Sequence, residues 1–144
     1  MDAAHQSIRV SVGPAPIDVA KVVEEVGRPD SGATALFLGT VRDHSHARSD
    51  VTHLEYEVYP ELVEPKIRGI VEEAAERWPI LSAVVEHRSG TVTLGEVSVA
   101  VAVSTAHRED AFAAARFIID ELKTRAPIWK KEHWPGGSEW SAGS

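Results

Sequence analysis

The sequence predicts an α+β protein in which helices pack on a mixed sheet. Three observations carry this. Several segments alternate apolar and polar residues with period two, as half-buried strands do. Two long segments repeat apolar residues at helical spacing. The segments alternate only loosely, with some strands joined by short turns rather than by helices, which separates this pattern from a doubly wound parallel sheet.

In chain order, Ile8-Arg9-Val10-Ser11-Val12 reads as the first strand, broken by Gly13-Pro14 and Pro16. Asp18 is placed to cap a short helix carrying Val19, Val22, Val23 and Val26, which Gly27 and Pro29 end. Ala33 to Val41 is nearly continuously apolar and reads as a central strand covered on both faces. Arg42 to Asp50 has no pattern and reads as a loop. Thr52 to Tyr59 alternates again, with Leu54, Tyr56 and Val58 on one side. A helix from about Glu61 to Trp78 buries Val63, Ile67, Ile70, Val71, Ala74, Ala75 and Trp78, and tolerates Pro65 near its start. Leu81 to Arg88 is a strand closed by Ser89-Gly90, and Thr91 to Leu94 is a short one. Val97 to Ser104 follows, with valines on one face and Ser98, Ala100, Ala102 and Ser104 on the other, so that a helix packs closely there. The corner Thr105-Ala106-His107 opens a helix from about Arg108 to Arg125, whose Ala111, Ala115, Ile118 and Leu122 face inward. Pro127 stops it, Ile128 to Trp134 is the final strand, and Pro135-Gly136-Gly137 is a turn.

A chain of 144 residues suits one domain spanning 1–144. Its composition, 43% hydrophobic and 26% charged, is that of a soluble globular protein. No apolar run is long enough for a membrane span, and the opening MDAAHQS lacks a leader pattern, so the expected compartment is the cytoplasm. A net charge of −7 argues against a protein that coats nucleic acid. The absence of cysteine removes thiol nucleophiles, zinc–thiolate sites and iron–sulfur ligation. Any sulfur this protein handles arrives on another molecule.

Against that acidic background, KTRAPIWKKE places four cations within ten residues, Lys123 to Glu132. Pro127 turns the chain between Lys123, on the last turn of a helix, and Lys130, on a strand, and so brings both toward one pocket. The plainer reading is that Lys123 and Arg125 complement the helix C-terminus while Lys130 and Lys131 line a solvated edge. Trp129 between them calls for burial, and alternation then points Lys130 away from Trp129 and Lys131 with it. His107-Arg108 at a strand end opening a helix suits an anion, or is an ordinary capping corner. Arg42, where the apolar strand runs out through Gly39-Thr40-Val41, is a second cation at a strand end. His44 and His46 lack a third ligand and helical spacing, so no metal site is assigned.

Together these segments resemble a known family, the large, catalytic subunit of molybdopterin synthase. The resemblance rests on Phe37-Leu38-Gly39-Thr40-Val41-Arg42, His53 to Pro60, Arg77-Trp78-Pro79 and His87-Arg88-Ser89-Gly90. It rests further on Ser104 to Arg108 and, most specifically, on Leu122 to Glu132. They occur in the family's order from Val12-Gly13-Pro14 onward. The resemblance implies an α/β hammerhead fold with an added antiparallel β portion. It implies an enzyme, without cofactor, that transfers sulfur to cyclic pyranopterin monophosphate (precursor Z) to build the dithiolene of molybdopterin. The sulfur donor is the C-terminal Gly-Gly thiocarboxylate of a small ubiquitin-like partner, and two copies of the large chain form the centre of a heterotetramer. Lys123 and Lys130 match the catalytic lysines. Thr40, Val41, Arg42, His107, Arg108, Lys131 and Glu132 match substrate-binding positions. The cations concentrate, on this reading, because a carboxyl-terminal tail and a phosphate share one pocket. The alternative is a non-catalytic anion-binding or regulatory module, which needs no lysine pair around Pro127. An RNA-binding domain using Trp129 and Trp134 is disfavoured by the acidic balance.

Overall fold

The computed structural model describes residues 6–45 and 49–142. Residues 1–5, from the stretch read for a leader, and His46, one of the two histidines weighed as metal ligands, lie outside the described residues.

The chain order is β1 (Ser7–Gly13), α1 (Val19–Val26), β2 (Ala33–Thr40), β3 (His53–Glu57), α2 (Pro60–Arg77), β4 (Ile80–Arg88), β5 (Gly90–Thr93), β6 (Val97–Thr105), α3 (Arg108–Arg125), β7 (Trp129–Trp134) and β8 (Gly137–Ala142). Two four-stranded sheets result, β1-β4-β6-β2 and β5-β3-β7-β8. In the first, β1 runs parallel to β4 and the other pairings are antiparallel. The second is antiparallel throughout. This is the predicted α+β class, with the antiparallel portion as a sheet of its own.

Local chemistry explains the elements. Asp18 caps α1 by accepting from the Lys21 backbone N–H at 3.1 Å. α2 opens on Pro60, where a missing N–H costs nothing, and buries Val63, Ile67, Ile70, Val71 and Ala74. α3 buries Ala111, Ala114, Ala115, Ile118, Ile119 and Leu122. Each fully buried Ile or Leu contributes about 1.5–3 kcal/mol. These stripes cover the valine face of β6 and join Leu54, Tyr56 and Val92 of the second sheet, with Ile128 just before β7, in one core. The small-residue face of β6 meets α1 instead, where Ala102 packs with Val22, Val26 and Val84. Gly90, at φ +74°, lets the chain leave β4 in the first sheet and enter β5 in the second.

Three expectations are corrected. β2 is an edge strand, not a central one, because β6 pairs with it on one side only. The eight-residue α1 does not shield it fully, and Leu36 is left 38% exposed. Trp129 is left 52% exposed rather than buried, because it stands on the outer face of the second sheet, while Ile128 beside it takes the core position. The chain also does not end its regular structure at β7. The turn at Pro135-Gly136, with Gly136 at φ +101°, folds β8 back as a hairpin. β8 escaped the sequence reading because its residues are mostly polar and only the hairpin partner holds them.

Candidate active site

A cavity of about 340 Å³ opens where the two sheets meet. Four segments far apart in sequence build it. β2 contributes Phe37, Leu38, Gly39 and Thr40, and the loop after it Arg42, His44 and Ser45. Leu54 and Tyr56 come from β3, and Ser98 and Val99 from β6. The remaining wall is Lys123 from the last turn of α3, with Lys130 and Glu132 from β7.

Strand register decides which side chains arrive. Tyr56 stands opposite Lys130 and Leu54 opposite Glu132, so these four share the inner face of the second sheet. Trp129, Lys131 and His133 point the other way. Lys131 faces its cross-strand partner Trp140, with Nζ 5.3 Å from the indole centroid, and His133 stacks on His53 at 4.3 Å. The pair Lys123 and Lys130 therefore lies on one cavity wall, and Lys131 does not join it. Val41 is buried just behind the cavity, its N–H donated to the Glu96 carbonyl and its carbonyl accepting from Gly95.

His107 and Arg108 are elsewhere. With Gly32, Ala106 and Glu109 they line a separate concavity of about 550 Å³ at the start of α3. At about 1.5 Å per residue, Arg108 and Lys123 are roughly 22 Å apart along that helix. Gly32 fits this corner because a Cβ there would come within 2.3 Å of the Ala106 carbonyl oxygen. Within one protomer the structure thus brings together Thr40, Arg42, Lys123, Lys130 and Glu132, and leaves Lys131, His107 and Arg108 outside. Among the described residues no cluster of three or more His, Cys, Asp or Glu is arranged to hold a metal ion.

The cavity is cationic and partly dry. Burial pushes the Lys130 pKa down, Glu132 opposes this, and the charges of Lys123 and Arg42 push it down further. Tyr56 is 5% exposed, and burial raises its phenol pKa while a hydrogen bond with Ser98 works against the rise. Ser98 Oγ also donates to the Gly39 carbonyl at 3.2 Å. Behind Tyr56, His87 meets the phenol edge-on, with centroids 5.1 Å apart. Sequence reasoning missed Tyr56 and Ser98 as site residues. Alternation had put Tyr56 on the buried side of its strand, but its pairing with Lys130 is a long-range register that no local pattern reveals. Chemically, a half-buried amine beside fixed cations suits proton transfer, and the cation cluster suits anionic ligands.

The chain matches the family model described as MoaE protein over residues 12–125. It is 40% identical to the molybdopterin synthase catalytic subunit of Halalkalibacterium halodurans, covering 93% of this chain and 85% of that protein. It is 42% identical to the catalytic subunit of Escherichia coli, covering 92% and 88%. The crystal structure of molybdopterin synthase from Staphylococcus aureus superimposes with a TM-score of 0.84 at 34% identity, covering 91% of this chain and 95% of that one. The matched span runs from the end of β1 to the last residue of α3, taking in Arg42, Tyr56 and Lys123 of the cavity, and the chain belongs to the MoaE protein family.

Proposed function

We propose that this chain is the catalytic subunit of a molybdopterin synthase, and that sulfur is transferred in the cavity between its two sheets. The observation that carries the reading is the convergence of Arg42, Lys123 and Lys130, from three separated segments, on one cavity of about 340 Å³. That volume falls in the range of small-molecule sites. The substrate is cyclic pyranopterin monophosphate, and the sulfur comes from the thiocarboxylated Gly-Gly tail of a small ubiquitin-like subunit, which reaches the cavity from outside. The reaction belongs to the cytoplasm.

Two anions must then lie side by side. At close range their repulsion is substantial in a partly dry site, and Arg42, Lys123 and Lys130 offset it. With the carrier's sulfur bonded to the pterin, water adding to the acyl carbon places negative charge on the acyl oxygen, which the Lys123 ammonium is set to stabilise; the acyl–sulfur bond then breaks and the sulfur stays on the pterin. Lys130, whose charged form burial disfavours, is the amine suited to take the proton from water as the carrier leaves as a carboxylate. Thr40 and Glu132 supply hydrogen-bonding groups on the cavity wall.

His107 and Arg108 enter this scheme through a second copy of the chain. Their concavity offers the Arg108 guanidinium at a helix N-terminus, with Glu109 beside it; the helix end and guanidinium suit a phosphate, but α3 itself holds them away from their own protomer's lysines. In a dimer they serve the neighbour's substrate.

Reconstitution tests the reading. Purified protein, precursor Z and thiocarboxylated carrier are expected to yield dithiolene product. Lys123→Ala is expected to lower turnover by about 100-fold or more, the size of effect seen when an oxyanion donor is removed. A variant that loses only affinity for the anions, with turnover intact, would return the protein to the class of non-catalytic binding modules.

A further inference from the structure

His87 takes no part in the scheme above, yet it is 2% exposed and sits directly behind the cavity. It pairs with Val12 of β1 on one side and with Val99 of β6, a cavity-lining residue, on the other. Along β4 its side chain shares a face with Ala83 and Val85, which belong to the core under α2 and α3. α3 follows β6 and packs back over it, so its last turn, with Lys123, lies above the strand ends that carry Val99 and His87.

The ring's protonation follows from its contacts. Nδ1 lies 2.7 Å from the Arg88 carbonyl oxygen. A carbonyl only accepts, so Nδ1 carries the hydrogen. Burial pushes the His87 pKa down to about 4, the Arg88 hydrogen bond opposes this, and the charge of Lys123 adds to the lowering. The imidazole is thus neutral at ordinary pH, and Nε2 presents a lone pair. That atom is enclosed and has no donor among the described residues. The ring of Tyr56 meets the imidazole edge-on. Facing charges come from Lys123 on α3, from Glu64 on α2, which accepts from the Val12 N–H at 3.0 Å, and from Lys130 and Glu132 on β7 beyond Tyr56. The Arg88 guanidinium is turned toward the Thr91 carbonyl and Glu96.

We propose that His87 is a positioning residue for Lys123: its Nε2 lone pair accepts a hydrogen bond from the Lys123 ammonium when that side chain turns into the cavity, fixing Nζ in place and keeping it charged. The inference rests on the catalytic reading of Lys123. It gives the buried acceptor its missing donor, and it separates the two lysines, one anchored as an ammonium and the other free to shed its proton.

Two substitutions isolate the acceptor. His87→Asn keeps an N–H near the Arg88 carbonyl but removes the acceptor at the ε position. His87→Gln places an amide oxygen there. In full-length protein with isotope-labelled lysine, the Lys123 Cε resonance is expected to titrate about one pH unit lower in His87→Asn than in the wild type, and His87→Gln to restore it. In the reconstituted reaction, kcat is expected to fall about tenfold in His87→Asn with KM for the pterin unchanged, and again to recover in His87→Gln. An unchanged Lys123 titration in folded His87→Asn overturns the proposal. Should that variant not fold, the imidazole nitrogen spectrum of the native protein at neutral pH decides: a proton on Nδ1 and a bare Nε2 are expected, and a proton on Nε2 overturns the assignment. The lysine titration needs neither substrate nor carrier, so its failure leaves the sulfur-transfer reading standing. Failure of sulfur transfer alone leaves the His87–Lys123 contact standing.

Discussion

Lys130 and His87 are both basic groups driven toward neutrality, for different reasons. Lys130 is half buried and feels two like charges, with Glu132 alone opposing. His87 is enclosed by core, and its own backbone hydrogen bond only partly offsets the loss of water. The consequence for stability follows from the sign of the His87 shift. The folded value, about 4, lies below the ordinary 6.5. As pH falls the unfolded chain takes up the proton first, so the stability tied to this residue is complete above pH 6.5 and declines between 6.5 and about 4. Full development of that shift corresponds to about 3 kcal/mol. Urea denaturation across this window is expected to show the decline in the wild type and a flatter curve in His87→Gln, which has no proton to bind there. Parallel curves for the two proteins would assign the acid sensitivity to other groups.

The end of β2 forms the cavity floor, and its shape depends on one missing side chain. A Cβ on Gly39 would lie 2.6 Å from Val99 Cγ1 and 3.5 Å from both Ser98 Oγ and the Phe37 ring. Valine has little freedom to retreat, so β2 and β6 must separate locally. Gly39→Ala is expected to cost about 1–3 kcal/mol of stability, read by chemical denaturation, and to weaken substrate binding by shifting Phe37 and Ser98. The same strand shows what a sequence can and cannot disclose. Gly39 leading into Arg42 was legible as a strand running out toward a ligand. The corner at Pro127 was legible too, since a helix-stopping proline between two lysines is local chemistry. That β2 lies at an edge was not legible, because apolarity reports burial and not which neighbour supplies it. Nor was β8, whose polar residues are held only by backbone pairing to β7. Tyr56 and His87 escaped notice for a related reason: their surroundings include cross-strand partners more than seventy residues away, Lys130 for Tyr56 and Val12 for His87.

The placement of cations on the molecule bears on how many copies build one site. The chain carries a net −7, yet it gathers Arg42, Lys123 and Lys130 in one cavity and sets Arg108, with His107 and Glu109, in a second concavity. α3 is a rigid strut between them, and no rotamer of Arg108 spans roughly 22 Å. If both concavities serve one phosphorylated substrate, they must come from different protomers, related by a two-fold axis so that each site receives the same complement. Mixing tests this directly. Lys123→Ala and Arg108→Ala are each expected to be nearly inactive alone. After unfolding and refolding together, half of the dimers pair one variant with the other, and each mixed dimer holds one intact site and one doubly defective site. Activity is then expected to recover to about a quarter of the wild-type value, since random pairing leaves half of the sites intact in half of the dimers. A site complete within one protomer would give no recovery at all, because each chain would carry its own lesion into its own cavity.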